Sequence, residues 1–375
     1  LSYMKSSLLL LFFFWFAAIQ AQQGDYFVYI SSLAPDNNAG IILLDFDSKT
    51  GQVQELKRFS DLPNTSYLNL CPDGKYLFTV YNNPDNQSAL SSFSIRPEDG
   101  NLSLIDTRKN IGRGPCYVSV STSGKAVLVA NYVEGNVLSF QKKGNGRIGK
   151  IISNIQHEFA SKATERQEAP HPHMIFQSPF DHTVIVPDLG ADRVYTYQIN
   201  KKGNISLLQN PFSETPPGSG PRHFVFHPNQ KWGYVLNELN GTVTAFNYTS
   251  EQGFISLIST EAGLPSDFTD FNKSADIHLT PDGKFLYTSN RGHNSITVFK
   301  TDPETGAPHF QGTFPCGGEW PRAFDVDPTG QFLLVANKRT DNLVVFRIDQ
   351  TTGMGEKIAE IGNLGQPQCV KFLEK

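Results

Sequence analysis

Short apolar stretches recur along the chain at nearly even intervals, and turn-forming residues bound each one. Some stretches alternate apolar and polar positions, as residues 224–226 do, whereas others are almost continuously apolar, as residues 332–337 are. Alternation with a period of two predicts a half-buried strand, and a short apolar run between turns is consistent with a buried strand. Turns such as Pro-Asp-Gly separate the two kinds of stretch. The pattern predicts an all-β fold built from antiparallel hairpins.

The hairpin belongs to a larger unit that repeats seven times. Positions that start the alternating stretch are equivalent in each unit: Ser66, Cys116, His173, Arg222, Ala275, Arg322 and Gln368. Successive positions are 46 to 57 residues apart, and each unit holds four short strand patterns, here called A, B, C and D. Four strands at a period of this length are typical of a β-propeller. We therefore predict one seven-bladed propeller domain over residues 22–375.

The two ends of the repeat predict how the ring closes. The chain ends with a lone strand A at residues 368–373, and its first strand, residues 26–31, is a strand B without an A. Pairing the two strands completes the seventh blade and removes an exposed sheet edge. The C-terminal strand is therefore expected to join the N-terminal blade.

Strand A carries two columns of equivalent residues with different character. The third position is apolar in all seven units: Leu68, Val118, Ile175, Phe224, Ile277, Phe324 and Val370. The next position is mostly polar: Asn69, Ser119, Phe176, Val225, His278, Asp325 and Lys371. We expect the first column to pack blade against blade and the second to face a wet central channel.

The first 21 residues do not follow the repeat. Lys5 precedes an apolar run over residues 8–19, and the small residue Ala21 follows it. This order is that of a secretory signal peptide, and the run is shorter than the roughly 20 residues of a bilayer span. We predict cleavage after residue 21, export to the periplasm or outside the cell, and no membrane association afterwards; an uncleaved anchor is the alternative.

Charge and cysteine spacing exclude several classes of function. The formal net charge is -4, and no basic run exceeds a pair, so nucleic acid is not an expected partner. The four cysteines lack the spacing of a metal site and are expected to be buried thiols. The sequence shows no Ser-His-Asp or Cys-His arrangement and no phosphate-binding glycine loop. We predict neither a cofactor nor a metal.

Strand direction predicts where the charged residues meet. Strands A and B are antiparallel, so the start of A and the end of B lie at the same end of a blade. Candidate residues at the start of A are His171, His173, Arg222, His223 and Arg322. Those just after B are Glu238, Arg291, Lys338 and Arg339. We predict a ligand pocket at this mouth of the channel, with His278 either lining the channel or buried as an inner histidine.

Three segments resemble motifs of a known family. Residues 218–229, GSGPRHFVFHPN, with residues 234–240, YVLNELN, resemble the central signature of the propeller-type lactonases. That family includes bacterial 6-phosphogluconolactonase of the propeller kind and the fungal carboxy-muconate lactonizing enzymes. Residues 171–173 with 186–194, and residues 289–296, resemble the flanking motifs. The resemblance covers essentially the whole chain after residue 21.

The resemblance implies a seven-bladed propeller without an obligatory metal. Its proposed active-site residues correspond here to His173, Arg222, Glu238 and Arg291. The phosphogluconolactonase reaction is cytoplasmic, whereas this chain carries an export signal. That departure bears on the identity of the substrate more than on the chemistry.

Each candidate has a chemical role and a plainer alternative. Glu238, with His173, is predicted to move the proton during lactone hydrolysis, and Arg222 with Arg291 to hold a carboxylate or phosphate. The alternatives are a surface ion pair of Glu238 with Arg222 and salt bridges between blades. The remaining candidates are predicted to bind substrate: His171, His223, Arg322, Lys338 and His278.

Two functions of different class follow from these assignments. The first is a lactonase that opens, or reversibly forms, a small anionic sugar or organic-acid lactone in the manner of 6-phosphogluconolactonase. The second is a non-catalytic exported propeller that binds a glycan or a protein. A carboxylate and two arginines on one face favour the enzyme, since a purely structural repeat does not require them.

Overall fold

Seven four-stranded antiparallel sheets form the blades of a propeller in the computed structural model, which describes residues 24–33, 40–60, 65–82, 87–249 and 253–375. The fold prediction is confirmed. The predicted signal segment, residues 1–21, lies outside the described residues. The part of the chain that the structure describes holds no helix with the length and hydropathy needed to span a bilayer.

The strands follow the chain in order, four to a blade. Blade 1 contains β1 (Tyr26–Ser32), β2 (Gly40–Phe46), β3 (Val53–Phe59) and the last strand, β28 (Pro367–Glu374). Blade 2 contains β4 (Thr65–Leu70), β5 (Tyr76–Asn82), β6 (Ser88–Ile95) and β7 (Leu102–Lys109). Blade 3 contains β8 (Pro115–Val120), β9 (Ala126–Asn131), β10 (Asn136–Lys142) and β11 (Ile148–Gln156). Blade 4 contains β12 (Phe176–Gln177), β13 (Thr183–Asp188), β14 (Arg193–Ile199) and β15 (Ile205–Glu214).

The second half of the ring repeats the same plan. Blade 5 contains β16 (Pro221–Phe226), β17 (Trp232–Asn237), β18 (Thr242–Thr249) and β19 (Gly253–Ala262). Blade 6 contains β20 (Lys273–Leu279), β21 (Phe285–Arg291), β22 (Ser295–Thr301) and β23 (Pro308–Pro315). Blade 7 contains β24 (Pro321–Val326), β25 (Phe332–Asn337), β26 (Asn342–Ile348) and β27 (Gly355–Gly362). One 3-10 turn, Glu165–Gln167, interrupts the connection between blades 3 and 4.

The last strand closes the ring as predicted. β28 pairs antiparallel with β1, with Val370 opposite Ile30, so blade 1 has the order β28-β1-β2-β3. The chain therefore supplies the innermost strand of its first blade from its C-terminus. β1 is therefore paired on both sides and is not left as an open edge of the kind that invites aggregation.

Apolar residues of strand A form the contact between neighbouring blades. Every member of the apolar column is at most 3% exposed: Leu68, Val118, Ile175, Phe224, Ile277, Phe324 and Val370. Tyrosines of strand B add hydrogen bonds between neighbouring blades. The hydroxyl of Tyr234 donates to the carbonyl of Gly306 at 2.9 Å, and that of Tyr287 donates to Gly353 at 2.8 Å. Both hydroxyls are thus satisfied within the core.

A bulge at the start of strand A positions the side chains of the mouth. In β16 the pairing jumps from Pro221 to His223, which leaves Arg222 without a partner on β17. The same shift occurs at the start of β4, β8, β24 and β28. A bulge leaves one residue unpaired and turns its side chain away from the regular alternation. The bulged residues are those that the repeat aligns: Ser66, Cys116, Arg222, Arg322 and Gln368.

Candidate active site

A cavity of about 360 Å³ opens at the mouth of the channel. Residues from the start of strand A contribute to its lining: Ser66, Cys116, His173, Arg322 and Gln368. Residues at the end of strand B or just after it contribute as well: Tyr132, Glu238 and Arg291. Of the predicted mouth residues, the structure brings His173, Arg322, Glu238 and Arg291 together in this lining.

Glu238 is buried at the centre of this cluster, with its side chain 4% exposed. Its Oε2 atom accepts a hydrogen bond from Arg222 Nε at 2.9 Å and lies 2.9 Å from Arg291 Nη2. Glu238 and Arg222 therefore form an ion pair as in the plainer alternative, but the pair is buried and does not lie on the surface. Arg166 Nη2 approaches the other carboxylate oxygen, Oε1, at 3.6 Å.

The surrounding arginines decide the charge of Glu238. Burial alone would raise the pKa of this carboxyl, but the guanidinium groups of Arg291 and Arg222 outweigh burial and lower the pKa to about 2. Glu238 is therefore ionised throughout the physiological range. A carboxylate held this strongly is a weak proton acceptor, because a general base works best with a pKa near the working pH.

Arg222 and Arg291 are largely engaged by the protein. Arg222 Nη1 donates to the carbonyl of Ala275 and lies 3.1 Å from His223 Nε2. Arg291 donates through Nε and Nη2 to the carbonyls of Lys273 and Ser274, both at 3.0 Å. These contacts hold both guanidinium groups in place beside Glu238. They leave few donors for a substrate.

Arg322 differs from the other two arginines. Its half-buried side chain lines the cavity, and no hydrogen bond or ion pair with any described residue engages it. Burial, with repulsion from Arg222 and Arg291, lowers the pKa of Arg322 to about 9. Its charge is thus retained at neutral pH but is poorly compensated. Of the three arginines Arg222, Arg291 and Arg322, only Arg322, predicted as a substrate-binding residue, keeps its guanidinium donors unengaged by the described residues.

Lys273 adds a second cation to the lining. Its side chain is half-buried, and burial together with Arg166 lowers its pKa. Its ammonium lies 5.4 Å from the ring centroid of Phe271, and it has no ion pair with the described residues. The cavity therefore carries more positive than negative charge, which suits an anionic ligand.

His173 lies beside the carboxylate and beside a cysteine. Its Nε2 atom is 4.0 Å from Glu238 Oε2, and its Nδ1 atom is 3.8 Å from Cys116 Sγ. Burial and the nearby Arg222 lower the pKa of His173 well below 6.5, so the ring is neutral at neutral pH. Cys116 and His173 are 57 positions apart in the chain, and only the ring brings them together. Burial raises the pKa of Cys116 to about 12, so its thiol stays protonated and is not a nucleophile.

His223 and His278 lie deeper, outside the cavity lining. His223 Nδ1 is 2.7 Å from Asp276 Oδ1, and burial lowers the pKa of His223 to about 3. A neutral ring that donates from Nδ1 to Asp276 presents Nε2 as an acceptor for Arg222. Asp276 therefore fixes the His223 ring, and the His223 ring in turn orients the guanidinium of Arg222.

His278 belongs to an ion-pair network inside the channel. Its Nδ1 atom is 3.1 Å from Asp325 Oδ1, and its Nε2 atom is 3.4 Å from Asp276 Oδ2. Burial alone would lower the pKa of His278, but Asp325 and Asp276 raise it to about 9. Lys371 Nζ donates to Asp325 Oδ2 at 3.4 Å and links β28 to this network. His278, which was predicted either to line the channel or to be buried as an inner histidine, is thus engaged by two carboxylates.

His171 and Lys338 also lie outside the cavity lining. The His171 ring stacks on Tyr132, with centroids 4.3 Å apart and planes 5° apart. Lys338 is half-buried, and burial with the neighbouring Arg322 lowers its pKa. Of the residues predicted to bind substrate, only Arg322 lines the cavity.

Sequence reasoning missed several lining residues, among them Lys273, Tyr132, Arg166 and Trp320. Tyr132 follows strand B as Glu238 does, so the aligned repeat contained the signal for it. Arg166 lies in the long connection between blades 3 and 4, and its Nη2 donates to the Tyr132 hydroxyl at 2.6 Å. The only signal for this connection in the sequence was the repeat interval from Cys116 to His173, which is the longest of the six. Trp320 has a φ of 65°, an uncommon value for a residue other than glycine. The guanidinium of Arg339 lies 3.7 Å from its ring centroid.

Metal ligands are not grouped in the described residues. In that part of the chain, no three His, Cys, Asp or Glu side chains are placed to hold a metal ion. The four cysteines are free thiols, three of them buried and Cys116 half-buried.

Comparison with known proteins identifies the family of the chain. Residues 27–372 match the family described as lactonase, 7-bladed beta-propeller. The chain is 34% identical over 350 residues to a 6-phosphogluconolactonase of Bacillus subtilis, covering 93% of this chain and 99% of that protein. It is 37% identical over 293 residues to a 6-phosphogluconolactonase of Formosa agariphila, covering 77% of this chain and 82% of that protein.

A solved structure of a related protein has the same fold. The periplasmic gluconolactonase of Pseudomonas aeruginosa superposes with a TM-score of 0.86 at 30% identity, covering 93% of this chain and 99% of that protein. The fold and the charged mouth thus define a propeller enzyme of the lactone-hydrolysing class. The chain belongs to the seven-bladed β-propeller lactonase family.

Proposed function

We propose that the protein hydrolyses a small anionic sugar lactone, in the manner of a 6-phosphogluconolactonase. The observation that carries this proposal is the unengaged guanidinium of Arg322 in a cavity that also holds an ionised carboxylate. An enzyme for a neutral lactone has no need to keep a poorly compensated cation in its pocket. Relatives that are named 6-phosphogluconolactonase support the same substrate class.

The anionic group of the substrate binds to Arg322, with Lys273 beside it. A guanidinium offers paired donors that match the oxygens of a phosphate or carboxylate. Arg222 and Arg291 were predicted for this role, but their bonds to Glu238 and to backbone carbonyls favour a fixed supporting role. Binding at Arg322 also relieves the repulsion among the arginines, because the ligand brings negative charge.

The chemistry adds one water molecule across the ester bond of the ring. The water oxygen bonds to the lactone carbonyl carbon, and the carbonyl electron pair moves onto its oxygen. The C–O bond of the ring then breaks as the carbonyl re-forms, and the ring oxygen leaves as a hydroxyl group. The product is an open-chain hydroxy acid, and the same steps in reverse close the ring.

Glu238 and His173 move the proton in this scheme. The Oε1 atom of Glu238 accepts the proton of the attacking water, and His173, 4.0 Å from the carboxylate, relays it to the leaving ring oxygen. Glu238 is a weak base, so most of the rate enhancement is expected from the positive charge that faces the developing oxyanion.

Export remains part of the proposal. We infer that residues 1–21 direct secretion and that residues 22–375 form the mature single-domain enzyme. The structural relative named periplasmic gluconolactonase supports that location. Mass spectrometry of the protein from its native host tests it, since retention of residues 4–21 contradicts a cleaved signal.

A lactone panel tests the proposed activity directly. Purified protein is assayed with 6-phosphogluconolactone, gluconolactone and an aromatic lactone, and acid release is measured above the spontaneous rate. We expect kcat/KM to be highest for the phosphorylated lactone. Hydrolysis of none of the three above background contradicts a lactonase of this kind, and equal kcat/KM for all three contradicts the anion site.

A further inference from the structure

A second cavity lies on the opposite face of the ring. It has a volume of about 770 Å³ and lies between blades 3 and 4. Its walls are the turn after β8, the end of β10 with the turn that follows it (residues 141–144), strand β11, and the turn after β14. These turns are at the other end of each blade from the mouth. The cavity is therefore separate from the candidate active site.

Lysines dominate the lining of this cavity, which we call the lysine groove. Its six lysines are Lys125, Lys142, Lys143, Lys150, Lys201 and Lys202. No acidic residue lines it, and within the described residues none of the six forms an ion pair. All are exposed except Lys142, whose Nζ lies 4.4 Å from the ring centroid of Tyr76. In a chain of net charge -4, this is a strong local excess of positive charge.

Hydrogen bonds between the blades hold the two walls in place. Ser139 Oγ donates to the carbonyl of Gly203 at 2.6 Å, and the amide of Ile205 donates to Ser153 Oγ at 3.1 Å. The hydroxyl of Tyr76 donates to the carbonyl of Gly144 at 3.0 Å. The lysines of blade 3 and blade 4 are thereby kept around one space. Like charges held together repel each other, and a bound polyanion removes that repulsion.

We propose that the lysine groove binds an acidic polysaccharide, a sugar chain with carboxylate or sulfate groups at repeated intervals. Six cations along two walls match a repeated charge better than a single phosphate. The amides of Gln141, Asn200 and Asn204 line the same space and suit sugar hydroxyls. No aromatic residue lines the groove, whereas proteins that bind single-stranded nucleic acid stack the bases on aromatic rings.

Binding measurements on two triple variants, each of which removes three lysine charges, test the proposal. The groove variant is K143Q/K201Q/K202Q, and the control is K49Q/K231Q/K300Q, which removes three exposed lysines outside the groove. The probes are alginate and heparin oligosaccharides, titrated by calorimetry from about 20 mM to about 200 mM sodium chloride. We expect the native protein to bind more weakly as salt increases. The groove variant should lose about tenfold in affinity or more, and the control less than about twofold.

Several results overturn the proposal. The proposal is wrong if the native protein binds neither oligosaccharide at low salt. It is also wrong if both triple variants lose the same amount of affinity. Tighter, groove-dependent binding of single-stranded oligothymidylate than of either oligosaccharide assigns the groove to nucleic acid instead. The variant Arg322→Gln, altered at the opposite mouth, should bind the oligosaccharides with native affinity, so failure of the lactonase proposal leaves this test intact.

Discussion

Replacement of Arg322 by glutamine should weaken the binding of an anionic lactone without weakening the fold. Glutamine keeps a polar side chain but removes the charge and the paired donors. No hydrogen bond or ion pair with a described residue is lost, because the structure gives the Arg322 side chain none there. Its pKa, lowered to about 9 by burial, Arg222 and Arg291, shows that the charge is unfavourable in the empty cavity. We therefore expect the melting temperature to stay unchanged or to rise.

The expected loss in binding follows from the bonds that an anion makes with a guanidinium. A hydrogen bond to a charged group contributes about 1.5–3 kcal/mol. Because about 1.4 kcal/mol corresponds to a factor of ten, KM for 6-phosphogluconolactone should rise about 10- to 150-fold. KM for uncharged gluconolactone should change less than about threefold, since that substrate lacks the group that Arg322 binds.

The assay compares the two lactones in native protein and variant at constant ionic strength, because salt screens the charges at the mouth. The control is Arg339→Gln, which removes the same charge from an exposed position over the Trp320 ring. It should change both KM values only slightly. Thermal unfolding of each protein is measured in the same buffer.

Two outcomes would refute this reasoning. An equal increase in KM for both lactones means that Arg322 does not recognise the anion. A melting temperature several degrees below that of the native protein means that the Arg322 side chain stabilises the fold.

Three further predictions concern the carboxylate and the ring. Glu238→Gln should lower kcat by about 10²-fold, the low end of general-base effects because Glu238 is a weak base, without raising KM for an anionic lactone, since the mouth loses a negative charge; unchanged turnover in steady-state kinetics contradicts proton transfer by Glu238. The lowered pKa of Glu238 stabilises the fold above pH 4.5, and this contribution, about 3 kcal/mol, is lost as the pH falls towards 2; urea unfolding against pH should show the loss in native protein but not in Glu238→Gln. Deletion of residues 368–375 should lower the melting temperature of the whole ring in one calorimetric transition, whereas an unchanged value contradicts closure by β28.

Much of the architecture was predictable because it depends on local, repeated pattern. Alternation, apolar runs and turn residues recur in every blade, so errors in one unit are corrected by the others. The same alignment placed Glu238 and Arg291 after strand B and His173 and Arg322 at the start of strand A. Since A and B are antiparallel, their common location at the mouth needed no coordinates. Ring closure by β28 followed from one unmatched strand at each end.

The pairing of the charged groups was decided only by the tertiary structure. A position in a repeat locates the backbone, but a bulge and the neighbouring blade determine where a side chain points. His223 and His278 could not be separated from the pocket in sequence, because Asp276, two residues from His278 on β20, meets His223 of the neighbouring blade only in the ring. Likewise, Arg222 and Arg322 occupy equivalent positions, and only the first meets a carboxylate on its own blade.

That difference between equivalent arginines has a simple physical origin. The residue after strand B is Glu238 in blade 5 and Lys338 in blade 7. The first pairs with the guanidinium of Arg222 and fixes it; the second, a like charge near Arg322, cannot. The sequence contained both residues, but their effect on each guanidinium depends on distance and burial. Which arginine is held by the protein and which is left for a ligand was therefore determined by packing.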